Sequence, residues 1–249
     1  MRKLVACLAV RNGGLRLYGK PLQCLDTENG LTVIQYIIQT LKKNKSIKDI
    51  VLAISEGIEN KIYEQIAIDN KINFIIGDEI DVLGRLIKAC QHSDGTDIFR
   101  ITTESPFTYF EIIDDAWEAH VKGDRDITVI DNLPDGCGFE ITKLSAYQFS
   151  WINGSKKHRS ELCSLYIREN KKLFNLYYFP IKKELMRIDL RLTIDYPEDL
   201  ILCRQIYKNF KNLNDEISLH KIIEFLDKNI DLKKIVEPFV EEGMKTMYL

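Results

Sequence analysis

Three cations and three glycines are concentrated between positions 11 and 20 of this 249-residue chain, in the run Arg11-Asn12-Gly13-Gly14-Leu15-Arg16-Leu17-Tyr18-Gly19-Lys20. Glycines let backbone N–H groups approach an anion closely, because no Cβ stands in the way. Arg11, Arg16 and Lys20 can neutralise a triphosphate through charge-assisted hydrogen bonds. The run fits neither GxxxxGK(S/T), because Pro21 follows Lys20, nor GxGxxG, so an ordinary P-loop NTPase and a Rossmann dehydrogenase are both unsupported. The plainer alternative is a basic surface turn whose glycines only relieve strain.

Two carboxylates stand in comparable settings. Glu104 and Asp195 each end a predicted strand, and a fold that gathers strand ends would set them side by side despite the 91 positions between them. Arg100 precedes the Glu104 loop, where it reaches either a phosphate or a partner carboxylate at a strand edge. His92, His120 and His220 have no setting that suggests chemistry. The six cysteines (Cys7, Cys24, Cys90, Cys137, Cys163 and Cys203) include no CxxC pair, which leaves a zinc knuckle or dithiol centre unsupported. Free thiols fit a reducing compartment. With 35 Lys+Arg against 37 Asp+Glu, the formal net charge of -2 gives no sign of a general nucleic-acid surface. The apolar run from Leu4 to Val10 is too short to span a membrane, and no small-residue cleavage site follows it. It is read as a buried strand of a cytoplasmic protein with no stable membrane association.

The elements that must position these residues follow from periodicity. Strands are predicted over 4–9, 47–54, 72–76, 97–102 and 126–130. Helices are marked by the face Leu31, Ile34, Ile37, Ile38 and Leu41, by residues 58–69, by the face Val82, Leu83, Leu86, Ile87 and Cys90, and by residues 109–121. This succession predicts an α/β fold, a mostly parallel sheet with helices on both faces. Ligands bind at the carboxyl ends of such strands, where the loops 11–20 and 103–107 emerge. Beyond 125, Gly136-Cys137-Gly138 breaks the rhythm before Phe139-Glu140-Ile141. Helices are expected near 142–152 and 157–169, and strand-like runs over 173–180 and 185–194 suggest a small antiparallel excursion. Pro197 starts a helix with Glu198 and Asp199 in its first turn, and amphipathic stretches follow at 216–227 and 231–241. Without a linker or repeat, residues 1–249 are read as one domain, with the excursion at about 130–190.

Four ordered motifs, spanning roughly residues 3–205, resemble the spore-coat-polysaccharide branch of the cytidylyltransferase family, related to the enzymes that activate sialic and 3-deoxy-octulosonic acids. The run from Ala9 to Lys20 resembles QARxGSTRLPGK, with Gly14, Leu15 and Tyr18 at the Ser, Thr and Pro positions. Gly77-Asp78-Glu79-Ile80-Asp81-Val82-Leu83-Gly84-Arg85 resembles GxxxDVLDR. Arg100-Ile101-Thr102-Thr103-Glu104-Ser105-Pro106-Phe107 resembles RITADCPL, with Glu104 at an Asp position. Leu190-Arg191-Leu192-Thr193-Ile194-Asp195-Tyr196-Pro197-Glu198-Asp199 resembles LRLTVDTPED.

The resemblance implies a three-layer nucleotidyltransferase-like sandwich that uses CTP as co-substrate and Mg²⁺ as cofactor, with Glu104 and Asp195 as metal ligands. It implies phosphate-handling roles for Arg11, Arg16, Lys20 and Arg100, with Gly13, Gly14 and Arg85 on the nucleotide; Arg85 equally suits a helix face covered by its methylene stem. Lys156-Lys157-His158-Arg159-Ser160 resembles REHVT, which puts His158 on the acceptor side, although a surface cluster at a helix start is the simpler account. Glu140, in a segment resembling GxDVE with Gly138 replacing Asp, is the other acceptor candidate. A homodimer is expected, with Phe174, Leu176, Tyr177, Tyr178 and Phe179 in its interface. The implied reaction is CTP-dependent activation of a sugar acid, sugar or sugar-like metabolite for surface-glycan assembly. A catalytically weakened nucleotide-sugar-binding or assembly protein is the non-enzymatic alternative.

Overall fold

The computed structural model describes residues 2–14, 16–212 and 217–246. Leu15, at one of the departures from the phosphate-loop motif, lies outside them. Strand β1 (Leu4–Val10) shows why its sequence is apolar without alternation. Leu4, Ala6, Leu8 and Val10 enter one core while Val5 and Cys7 enter another, so both faces of the strand are buried.

Seven strands form the main sheet in the order β5-β4-β1-β6-β8-β7-β9. Their ranges are β4 (Ile47–Ser55), β5 (Asn73–Gly77), β6 (Asp97–Arg100), β7 (Ile127–Ile130), β8 (Phe139–Lys143) and β9 (Leu176–Tyr178). β8 pairs antiparallel with both β6 and β7, and the remaining pairings are parallel. A small antiparallel pair, β2 (Cys24–Asp26) and β3 (Leu31–Thr32), stands apart from the main sheet.

The helices cover both faces, as expected. One layer contains α1 (Val33–Leu41), α2 (Ile62–Asp69), α4 (Ile113–Lys122), α7 (Pro197–Phe210) and α8 (Leu219–Lys228). The other contains α3 (Val82–His92), α5 (Leu144–Asn153) and the short α6 (Leu165–Glu169). The last helix, α9 (Ile230–Thr246), packs on α7 and sends Val236 into the first core. α1 starts where Thr32 and Gln35 cap each other: the Thr32 N–H donates to Gln35 Oε1 at 3.0 Å and the Gln35 N–H to Thr32 Oγ1 at 3.4 Å. Among the described residues no helix is long and apolar enough to cross a membrane.

Between 156 and 194 the structure departs from the sequence expectations. Residues 157–169 divide into a 3₁₀ turn (Lys156–Arg159) and α6. β9 is not an arm: it runs parallel to β7 at the sheet edge, with Phe174 and Leu176 in one core and Phe179 in the other. Residues 185–194 form no strand. After a 3₁₀ turn (Lys183–Leu185) the chain turns again at Ile188–Asp189, where the Leu190 N–H donates to the Arg187 carbonyl, and then makes an isolated bridge between Asp135 and Arg191. Leu190, Leu192 and Ile194 alternate with polar residues, which imitates a strand in sequence, but all of 190–194 is buried and the N–H groups serve separate loops: Leu192 donates to the Asp135 carbonyl at 2.7 Å and Ile194 to the Glu104 carbonyl at 3.0 Å. That last bond brings together the two segments carrying the candidate metal ligands.

Candidate active site

The loop after β1 is anchored from beneath. The Asn12 N–H donates to Asn60 Oδ1 at 2.8 Å, Tyr63 donates its hydroxyl proton to Asn12 Oδ1 at 2.8 Å, and the Gly19 N–H closes the loop on the Asn12 carbonyl at 3.0 Å. Gly19 has φ 59°, a left-handed conformation that favours glycine. A Cβ on Gly14 would lie 2.5 Å from the Leu17 carbonyl oxygen. Gly13 has no such steric demand, and it lines the cleft above the loop.

Lys20 and Arg16 both turn toward Asp195. Lys20 Nζ lies 2.5 Å and Arg16 Nη2 3.5 Å from Asp195 Oδ1, while Arg191 Nη2 lies 2.6 Å from Oδ2. Burial acts to raise the Asp195 carboxyl, but hydrogen bonds and charge from Lys20 and Arg191 prevail and hold it below its ordinary value. Arg191 is itself almost fully buried, with Nε 2.8 Å from Asp199 Oδ1 and a further ion pair to Asp135. Asp199 also accepts from the Asp195 and Tyr196 N–H groups at 2.8 and 2.9 Å, the first-turn helix role read from the sequence. Glu104 lines the same cleft, and its carboxyl is raised by burial and by the charge of Asp195, against the opposing pull of Lys20.

Two cavities meet at Lys20, Arg100, Ile101, Thr102, Glu104 and Glu161. The first, about 120 Å³, continues past Arg11, Gly13 and Val82 to Arg85. Arg85 is buried, and Nη1 donates to the Ala53 and Val10 carbonyls at 2.8 and 3.3 Å. Arg11 is more exposed, 3.5 Å from Glu79 and 3.8 Å from Glu161. The second cavity, about 280 Å³, opens on the other side of Glu104 and Asp195. On its wall, Glu140 Oε1 accepts from Ser164 Oγ at 2.5 Å and Arg168 Nη2 at 2.7 Å, and Arg100 Nη1 lies 3.6 Å from Oε2. Burial opposes ionisation of Glu140, but Arg168 and Arg100 outweigh it and lower its pKa. Arg168 also grips both oxygens of Asp131, at 2.7 and 3.2 Å.

The structure therefore brings Arg11, Gly13, Lys20, Arg85, Arg100 and Glu104 to one cavity, and Arg16, Lys20, Arg100, Glu104, Glu140 and Asp195 to the adjoining one. His158 lines neither. It is buried, with Nδ1 accepting from the Ser155 N–H at 2.8 Å and Nε2 2.8 Å from Glu169 Oε2, an arrangement that ties the 3₁₀ turn to α6. Asp131, Asp135 and Arg168 were not legible as site residues. Asp131 and Arg168 sit in loop and helix segments with no local motif, Asp135 opens the segment read for Glu140 without being singled out, and only the tertiary fold turns the three toward the cavity.

Comparison with known proteins gives the family and the fold. The family model described as cytidylyltransferase matches residues 6–238. An uncharacterized protein of Methanocaldococcus jannaschii is 31% identical over 233 residues, covering 94% of each chain. The spore coat polysaccharide biosynthesis protein SpsF of Bacillus subtilis is 27% identical over 233 residues, covering 93% of this chain and 97% of the relative. A cytidylyltransferase structure from Leptospira borgpetersenii superposes with a TM-score of 0.83 at 23% identity, over 93% of this chain and 97% of that one. A CMP:2-keto-3-deoxy-manno-octonic acid synthetase complexed with CTP shares the fold at a TM-score of 0.61 and 12% identity, over 83% of this chain and 99% of its own. With its family match extending through both cavities and the sheet beneath them, this chain belongs to the cytidylyltransferase family and is a nucleotidyltransferase enzyme.

Proposed function

We propose that the enzyme transfers CMP from CTP to an oxygen of a sugar, sugar acid or sugar-like metabolite, releasing pyrophosphate, in the cytoplasmic stage of surface-glycan synthesis. The observation that carries this reading is that Lys20 and Glu104 line both cavities, while Asp195, paired with Lys20 and Arg16, lines the larger one beside them. The smaller cavity would take the nucleotide and the larger the acceptor, so that the acceptor oxygen attacks the α-phosphorus between them. The bond from phosphorus to the pyrophosphate oxygen breaks as the new P–O bond forms. Arg11, Gly13, Gly14, Arg16 and Lys20 would hold the phosphates, and Arg85 would border the base. Arg100 is fixed by its bond to the Glu161 carbonyl at 2.5 Å, at the boundary between the two substrates. The relative SpsF, by its name, points to polysaccharide synthesis as the setting.

Glu104 and Asp195 fit a divalent cation. Two carboxylates line one cleft, burial and then the charge of Asp195 raise the pKa of Glu104 against the pull of Lys20, and the Lys20 ammonium pairs with Asp195. Mg²⁺ accepts such a set, one or two carboxylates with waters and phosphate oxygens, and when bound it neutralises charge on the phosphates. On the acceptor wall, Glu140 and Asp131 offer oxygen acceptors to sugar hydroxyls. The test is pyrophosphate release from CTP and Mg²⁺ with a metabolite extract, following labelled CMP into product. Transfer to a sugar-like acceptor is expected, and transfer of label only to water, or only to non-carbohydrate acceptors, would overturn the reading.

A further inference from the structure

The Tyr196 ring joins the phosphate loop to the last helix. Arg16 Cζ lies 4.9 Å from the centre of this ring, and Arg16 Nη1 donates to the Tyr196 hydroxyl at 3.2 Å. Phe239, on α9, stacks on the same ring with centroids 4.1 Å apart and planes 19° from parallel. A second contact from α9 reaches the site at Gly243. A Cβ there would collide with Arg191 Nη1 and Asp135 Oδ2, so the helix backbone lies directly against the ion pair beside Asp195. The family match ends at residue 238, one position before Phe239. The segment that makes both contacts therefore lies outside the matched span.

We propose that Phe239 is a positioning residue for nucleotidyl transfer: by stacking on Tyr196 it fixes the ring against which Arg16 is set, and so holds that guanidinium at the mouth of the phosphate loop. Arg16 has 38% of its side chain exposed and reaches Asp195 at 3.5 Å, and the rotamer entropy that such a long side chain retains is lost when it grips a phosphate. A ring held from the α9 side limits the freedom before the nucleotide arrives, which is preorganisation. The cation–π contact and the aromatic stack are each favourable, so removing Phe239 weakens the first by loosening the second. The inference rests on the proposed contact between Arg16 and the triphosphate.

The experiment is calorimetric titration of the full-length protein with MgCTP, arranged as a double-mutant cycle. Phe239→Ala is expected to weaken binding by about fivefold and Phe239→Trp to restore it. In an Arg16→Ala background, Phe239→Ala is expected to change affinity by less than about twofold, because the residue acts through Arg16. Phe239→Leu keeps apolar bulk under the helix but lacks the ring, and should behave like alanine; it carries the test if the smaller side chain compromises folding, which melting curves report. Equal losses in both backgrounds, or unchanged affinity in Phe239→Ala and Phe239→Leu, would overturn the inference while leaving nucleotide binding intact. Wild-type protein that fails to bind MgCTP would overturn the nucleotide reading itself, and this inference with it.

Discussion

Lys20 and Arg191 grip different oxygens of Asp195, so that carboxylate is held in place from two sides before any nucleotide is present. Lys20→Ala removes one grip and, on the proposed reading, one phosphate contact with it. It is expected to lower kcat/KM for CTP by about 100-fold, a typical loss for a group stabilising transferring charge, with little change in circular dichroism. Unchanged kinetics across CTP concentrations would remove Lys20 from the site. For the metal pair, Asp195→Asn preserves shape but gives up an anionic oxygen, and the magnesium requirement for pyrophosphate release should rise at least about tenfold. Glu104→Asp is expected to retain activity. The bond joining its segment to Ile194 uses the Glu104 backbone carbonyl, which the substitution leaves alone. Near-wild-type magnesium dependence in Asp195→Asn would exclude that residue as an essential ligand.

At the scale of elements, the open edge of β9 sets an expectation for assembly. β9 is the last strand in the sheet order, and Leu173, Tyr178 and Phe149 near it are 60%, 45% and 45% exposed. An uncovered edge beside apolar side chains invites pairing. We expect a homodimer through this edge, seen by light scattering as twice the chain mass and lost in Tyr178→Lys; a monomer at micromolar concentration would refute it. The elements that position the site were largely legible. β1 is a continuous apolar run, α1 and α3 carry apolar faces at helical spacing, and Pro197 marks the start of α7. Residues 185–194 form no strand although Leu190, Leu192 and Ile194 alternate with polar residues, because that alternation looks the same in sequence whether the backbone pairs with a strand or with scattered loops. The direction of β9 was illegible for a related reason, since nothing local distinguishes a parallel from an antiparallel partner. His158 suggested acceptor chemistry by its neighbours in sequence, whereas its partner in space is Glu169. Glu104 and Asp195 stood out because each ends a strand-like run and Lys20 because it closes the basic, glycine-rich loop, but Arg168 emerges as a site residue only through its bond to Glu140 on β8.

For the molecule as a whole, a buried polar network lies at the opposite ends of the strands. His120 Nε2 is 3.1 Å from Asp97 Oδ1 and Nδ1 is 2.8 Å from Thr128 Oγ1, with all three residues fully buried, and Arg2 pairs with the same aspartate. Burial lowers the His120 pKa despite the carboxylate, so the folded protein keeps a neutral ring, while the unfolded chain titrates near 6.5. Between those values the unfolded state binds the extra proton. Stability should therefore be complete above about pH 6.5 and decline below it by at most about 1.4 kcal/mol per pH unit. Denaturant unfolding from pH 7.5 to 5 measures this decline, and His120→Gln should flatten it; an equal slope in the variant would assign the effect elsewhere. The bond from Ile194 to Glu104 has a consequence of another kind, in the order of biosynthesis. A ribosome adds roughly 5–20 residues per second, so the partner of the Glu104 loop is made several seconds after the loop itself. During that interval the first six strands of the chain can fold, but the carboxylate pair does not yet exist. On the proposed role of that pair, the growing chain is expected to be catalytically silent until Asp195 has been made and docked against the Glu104 loop.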